Sequence, residues 1–292
     1  MLLLRLLRPH HWVKNGLVFL PLVAGHVVEA GAWLRGLAAF VAFGLVASGN
    51  YVVNDILDRE HDRLHPTKRH RPVAAGAVAL SLAWMLAAAC IGAGLVVGLL
   101  LSPALFAVLV LYLLLAQAYS LRIKRAFVAD LFALVAFYLL RVFAGSAAVG
   151  ILPSIWLLAF VVFAFLSLAA LKRTSELALL QGRGEERSAG RAYVVDDRLL
   201  VAVVALAAGY AAVVVLALDL DSEPARRRYA QPEVLWLLCP LLLFWFTRAV
   251  ALAGRGAVSD DPVVFALEDR VSLLCGAAAL LVLAGATVPW TP

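Results

Sequence analysis

Nine apolar runs of about twenty residues recur along this chain of 292 residues, and they set its solvent before any motif is read. A helix of roughly 20 apolar residues crosses the hydrocarbon core of a bilayer. The runs lie near 14–28, 34–56, 78–101, 104–121, 128–149, 154–179, 198–218, 233–253 and 270–288. Some are long enough to tilt or to protrude into water. The first is short and interrupted by Pro21. Hydrophobic residues make up 64% of the sequence and charged residues 15%, well above and well below the usual proportions of a soluble domain. The expected fold is all-α: a polytopic membrane protein of nine transmembrane helices in one domain, 1–292.

The distribution of charge gives an orientation. The N-terminal segment and the connections after spans 2, 4, 6 and 8 hold twenty of the 25 Lys and Arg residues. The opposite side holds Arg35 and the cluster Arg226, Arg227 and Arg228. By the positive-inside rule the N-terminus faces the cytoplasm of a plasma-membrane protein. The net charge of +6 does not argue for nucleic acid, because the cations cluster at span ends. Cys90, Cys239 and Cys275 lie in apolar stretches without metal-like spacing and imply no disulfides. The opening MLLLRLLRPHHWVKN lacks a small-residue cleavage site and reads as an interfacial amphipathic segment.

Polar chemistry concentrates in the stretch from Gly49 to Pro72, which contains Asn54, Asp55, Asp58 and Asp62 followed by His65, Lys68, Arg69 and Arg71. Asp55, Asp58 and Asp62 are spaced i, i+3 and i+7, so a continuing helix puts them on one face. The outer pair is then about 10 Å apart along the axis, too far for one cation to be ligated directly by all three. One or two partly hydrated Mg2+ ions, bridging these carboxylates to substrate phosphates, suit that spacing. Lys68 and Arg71 add charge for a phosphate-rich ligand. The plainer alternative is a solvated charged loop.

Further candidates are spread along the chain. Arg8, Trp12, Lys14 and Asn15 open it as R-P-x-x-W-x-K-N, which equally suits anchoring at the membrane interface. Tyr119, Ser120, Arg122, Lys124 and Asp130 join spans 4 and 5. Arg141 lies inside span 5, where an unpaired charge is expensive, so it needs a structural carboxylate or a substrate phosphate. Lys172, Arg173 and Glu176 end span 6, and Lys172 with Glu176 also has the i, i+4 spacing of a helix-surface pair. Asp261 precedes Pro262 as a helix cap would, and Asp269 follows as cap or ligand.

N-D-x-x-D-x-x-x-D after an apolar helix resembles the first aspartate-rich motif of the UbiA superfamily of intramembrane prenyltransferases. Together with R-P-x-x-W-x-K-N, H-P-x-K-x-x-R-P and K-R-x-x-E-L, it is most similar to the decaprenyl-phosphate phosphoribosyltransferase branch. The resemblance runs from Arg8 to Arg270 and implies a nine-helix bundle around a cavity open to the cytoplasm. It implies transfer of 5-phosphoribose from 5-phosphoribosyl 1-diphosphate to a polyprenyl phosphate, for arabinose donors of the cell envelope. It implies Mg2+ on Asp55, Asp58 and Asp62, with Lys68 also catalytic. Substrate contacts are implied for Lys14, Asn15, Asn54, Arg71, Tyr119, Lys124, Arg141, Lys172 and Glu176, and homotrimers for the assembly. The sequence departs from prenyl-diphosphate enzymes of the superfamily, because Lys172 and Glu176 stand where those have a second D-x-x-x-D. The alternatives are a prenyltransferase acting on an aromatic acceptor and, from another class, a transporter or scaffold.

Overall fold

A computed structural model describes residues 2–64, 68–187, 190–258 and 262–287. Among the described residues eight helical segments are long and apolar enough to cross a membrane, two of them counted with the 3-10 turns that lead into them, Val195–Asp197 and Pro232–Leu237. They are α1 (Ala30–Leu57), α2 (Leu80–Leu101), α3 (Pro103–Leu121), α4 (Ala129–Val149), α5 (Ile155–Gly182), α6 (Arg198–Leu220), α7 (Leu238–Gly254) and α8 (Arg270–Thr287). Each falls on an expected run. The run at 14–28 is different: it forms a 3-10 helix, Pro9–Phe19, and a five-residue α-helix, Leu20–Ala24. Pro9 and Pro21 each sit at a helix start, where a missing N–H costs nothing, so neither piece grows to spanning length.

The breaks between helices follow local chemistry. Ser102 and Ser154 cap α3 and α5, their hydroxyls accepting from Leu105 N and Leu157 N, each at 3.0 Å. Pro103 then takes the first helical position of α3. Many large apolar side chains, Leu100, Leu274 and Leu281 among them, point outward and exposed. In water such a surface would aggregate; in a bilayer it is solvated by acyl chains. The protein is an integral membrane protein.

The chain divides into two compact units, Met1–Arg122 with Phe137–Pro153 and Ile123–Ala136 with Ser154–Pro292. The core of the first unit joins Ala39, Phe43 and Val46 of α1 to Leu105, Leu109 and Tyr112 of α3 and Leu140 and Ala144 of α4. Small residues let α1 and α2 approach closely: a Cβ added at Gly94 would stand 2.6 Å from the Ala42 carbonyl oxygen. The core of the second unit is built from Ala169, Ala170 and Leu171 of α5, Val201 and Ala205 of α6, and Ala249 and Ala253 of α7. There the Ser167 hydroxyl donates to the Ala205 carbonyl at 2.7 Å, fastening α5 to α6.

Candidate functional site

The 3-10 helix Pro9–Phe19 runs back along α1, and successive contacts set its register. Arg8 donates from Nη2 to both carboxylate oxygens of Asp55, at 2.7 and 3.0 Å. One turn on, the Trp12 indole donates to the Ser48 hydroxyl at 2.9 Å, and that hydroxyl donates to the Leu7 carbonyl at 2.7 Å. The Trp12 ring also covers Gly44, where a Cβ would stand only 2.7 Å from it. Further along, Asn15 accepts from Arg141 Nε at 3.0 Å. Arg8 itself has a left-handed backbone (φ 49°, ψ 55°), a conformation that costs an L-residue roughly 1–2 kcal/mol. The bond to Asp55 and the neighbouring Tyr51 ring, 5.6 Å from the guanidinium carbon, hold it there.

The aspartates do not share one continuous helix face. Helix α1 ends at Leu57, Asp58 occupies the turn, and a separate helix spans Arg59–Leu64. Asp55 and Asp62 nevertheless converge, because Arg71 Nη1 donates to Asp55 Oδ1 at 3.1 Å and to Asp62 Oδ2 at 2.7 Å. Both acids are buried, Asp55 at 2% exposure. Two arginines thus neutralise two carboxylates. Asp58 is half-buried and pairs with no side chain among the described residues. Among the described residues no three His, Cys, Asp or Glu side chains are already gathered as a metal cage.

Other expected residues of the first unit line up beside this cluster. Asn54 accepts from the Ser120 hydroxyl at 3.2 Å, and Asn50, one turn earlier, accepts from Gln117 at 2.7 Å. Tyr119 packs edge-on against Phe137, with ring centroids 5.7 Å apart. Lys14 is half-buried on the 3-10 helix. Lys68 opens a short 3-10 turn, Lys68–His70, but its side chain lies outside the described residues, as do His65 and Asp261.

The second unit holds its own buried cluster. Arg173 donates to Asp130 at 2.8 Å and to Glu176 at 2.6 Å, and Asp130 also accepts from the Tyr193 hydroxyl at 2.5 Å. Arg191 lies 3.6 Å from Glu176. Asp130 is fully buried and serves as an anchor for Arg173 and the 190–194 loop. Glu176 is held by arginines at i−3 and in that loop, so the i, i+4 spacing from Lys172 does not define its partners. Lys172 and Lys124 are half-buried. Arg8, Arg173, Arg191 and Tyr193 were not singled out by spacing as partners of the acids; their pairs are 47 and 43 residues apart for Arg8–Asp55 and Arg173–Asp130.

Asp269 proves to be a cap. Its carboxylate accepts from Ser272 N at 2.7 Å at the start of α8 and from Arg248 at 2.7 and 3.0 Å. The Arg248 hydrogen bonds, with those from Ser272, lower its pKa from the ordinary 3.8 to about 2. A lowered carboxylate pKa stabilises the fold above the unfolded value near 4, and that stability disappears as pH falls toward 2. Asp269→Asn should therefore cost about 1–2 kcal/mol at pH 7 and only a minor fraction of that, roughly 0.4 kcal/mol, at pH 2, read by thermal melting in detergent. An equal deficit at both pH values would contradict this.

The UbiA prenyltransferase family description matches residues 18–254. Nodulation protein NoeC of Azorhizobium caulinodans is 40% identical over 273 residues, 92% of this chain and 87% of that protein. The decaprenyl-phosphate phosphoribosyltransferase of Mycolicibacterium smegmatis is 33% identical over 278 residues, again 92% and 87% of the two chains. A solved UbiA homolog from Archaeoglobus fulgidus, bound to DMAPP and Mg2+, has a TM-score of 0.70 at 16% identity. That likeness of fold covers 97% of this chain and 99% of that one. An N-D-x-x-D-x-x-x-D motif, spanning helices and a match over most of the sequence lead to one conclusion: the chain belongs to the UbiA prenyltransferase family.

Proposed function

We propose that the protein transfers 5-phosphoribose from 5-phosphoribosyl 1-diphosphate to a polyprenyl phosphate and releases diphosphate. The observation that carries this reading is the convergence of Asp55 and Asp62 on one nitrogen of Arg71, with Arg8 also on Asp55 and Asp58 in the turn between the two acids. The named activity of the Mycolicibacterium smegmatis relative supports it, as does the replacement of a second D-x-x-x-D by Lys172 and Glu176.

The donor set fits Mg2+: its oxygens are hard carboxylates, and two already turn toward a single positive centre. Asp55, Asp58 and Asp62 would hold the ion. When bound, Mg2+ supplies withdrawal of charge from the leaving diphosphate. Arg8 and Arg71, exchanged from carboxylate to phosphate, neutralise the remaining charge, and Lys68 and Tyr119 add contacts. Lys124 and Lys172 are proposed phosphate contacts on the resemblance alone. The polyprenyl phosphate oxygen forms the new bond to ribose C1 as the bond to diphosphate breaks, and the electron pair leaves with diphosphate. The nucleophile is already an anion, so no general base is needed. Positioning by these side chains does much of the work. The basic side of the membrane, hence the cytoplasm, is where a soluble phosphorylated donor would enter.

The test is purified protein with labelled 5-phosphoribosyl 1-diphosphate, polyprenyl phosphate and Mg2+. Label should move into the lipid phase, stop with EDTA, and fall by about 100-fold or more in Asp58→Asn. No transfer, together with activity on a prenyl diphosphate and an aromatic acid, would instead make it a prenyltransferase of the more common kind. Near-normal activity of Asp58→Asn would remove the metal assignment.

A further inference from the structure

Arg141 is a cation within α4, 4% exposed, and its partners among the described residues are all neutral. Its Nε donates to Asn15 Oδ1 at 3.0 Å and its Nη1 to the Phe137 carbonyl at 2.6 Å. The rings of Phe43, Tyr112 and Tyr138 stand around it, with centroids 4.9, 5.7 and 5.8 Å from the guanidinium carbon. Among the described residues no carboxylate forms an ion pair with it. Ring faces offset part of the desolvation of a buried guanidinium, but they do not cancel a full charge in a spanning helix.

Asn15 points the same way. It is 1% exposed, and the bond from Arg141 fixes its carbonyl end, so its amide nitrogen is left as a donor. That Nδ2 is buried and has no hydrogen-bond partner among the described residues. A positive guanidinium and an orphaned amide donor, side by side among buried aromatic rings, are complementary to one kind of group: an anion with several acceptor oxygens. A guanidinium is the side chain best matched to phosphate.

Position identifies which phosphate. Phe43 precedes Asp55 by twelve residues on α1, roughly 18 Å along the helix axis. Asn15 follows Arg8 by seven residues of 3-10 helix, about 14 Å. The gap between the two charged places suits a diphosphate and a ribose laid end to end. Displacement at ribose C1 needs the attacking oxygen opposite the departing diphosphate. We infer that Arg141 and Asn15 form a phosphate-monoester site for the lipid acceptor, distinct from the acid–arginine cluster that takes the donor. The identity of the ligand rests on the transfer reading above; the site itself rests on the unmatched charge and the orphaned donor.

Binding without turnover tests this on the full chain in detergent, with no donor present. Farnesyl phosphate, farnesol and ribose 5-phosphate would be titrated against wild type, Arg141→Gln and Asn15→Asp, followed by thermal shift and phosphorus NMR. Farnesyl phosphate should bind wild type and lose at least tenfold in affinity in both variants. Farnesol should bind weakly and equally to all three, and the response to ribose 5-phosphate should not depend on either residue. Asn15→Asp gives Arg141 its missing anion, so it should melt at or above wild type, which separates lost binding from misfolding. Equal farnesyl phosphate affinity in wild type and Asn15→Asp would overturn the proposal. So would an effect confined to ribose 5-phosphate, which would give the site to the donor. Variant-dependent farnesyl phosphate binding in a protein that shows no phosphoribosyl transfer would sustain this site and sink the transfer reading alone.

Discussion

Arg173→Met is expected to destabilise the second unit by about 3–5 kcal/mol, the range for removing one partner of a buried ion pair. Arg173 is 1% exposed and Asp130 is fully buried, so water cannot replace the lost guanidinium. Among the described side chains Asp130 would keep the Tyr193 hydroxyl, and Glu176 the more distant Arg191. Burial and then the Asp130 carboxylate push the Tyr193 hydroxyl well above its ordinary range, so it stays a proton donor and cannot relieve the charge by ionising. The measurement is a melting curve in detergent with protease cleavage of the 183–194 loop. The double variant Asp130→Asn with Arg173→Met should melt above Arg173→Met alone, because it removes the stranded carboxylate as well. A single variant that melts like wild type would show that the cluster contributes nothing.

Gly145→Ala should be nearly as damaging in the first unit, by another route. A Cβ at Gly145 would lie 1.9 Å from the Val18 carbonyl oxygen and 2.8 Å from its carbon. Both are backbone atoms, so no side-chain rotation relieves the clash. The 3-10 helix must move away from α4, at a cost of about 1–3 kcal/mol for overpacking. That helix carries Asn15 and follows directly on Arg8, and misplacement by about 1 Å can cost 100-fold in rate. Transfer activity should therefore fall by about that factor while the protein still folds. Gly276→Ala, where nothing lies within 4 Å, is the matched control and should leave both unchanged. Full activity in Gly145→Ala would mean that the N-terminal segment does not position the site.

The spanning helices were legible in the sequence because lipid demands long apolar runs, and the runs carry their own end signals, such as Ser102 with Pro103. The first run was legible as apolar, but its division into a 3-10 helix and a short α-helix was not. Spacing put Asp55, Asp58 and Asp62 on one helix face with the outer two about 10 Å apart; instead the helix breaks at Asp58, and Asp55 and Asp62 meet on Arg71. Their partners were not legible. Spacing exposes neighbours three or four residues apart, whereas Arg8 meets Asp55 across 47 residues and Arg141 meets Asn15 across 126. The charge of Arg141 announced that something must face it. Only the folded arrangement shows that the something is an amide and three aromatic rings.

The two charged clusters also differ in when a ribosome can complete them. Arg8, Asp55, Asp62 and Arg71 all lie within the first 71 residues, so this neutral cluster can close soon after α1 is inserted. The Arg173 cluster needs Asp130 from α4 and Tyr193 from beyond α5, and it can close only when about two thirds of the chain has been made. Until Arg141 arrives, Asn15 has no cation to bind, and until Gly145 arrives the 3-10 helix has nothing pressed against Val18. Because domains are generally built in the order of synthesis, the charges of Asp55 and Asp62 can be matched before Asp130 has been made at all.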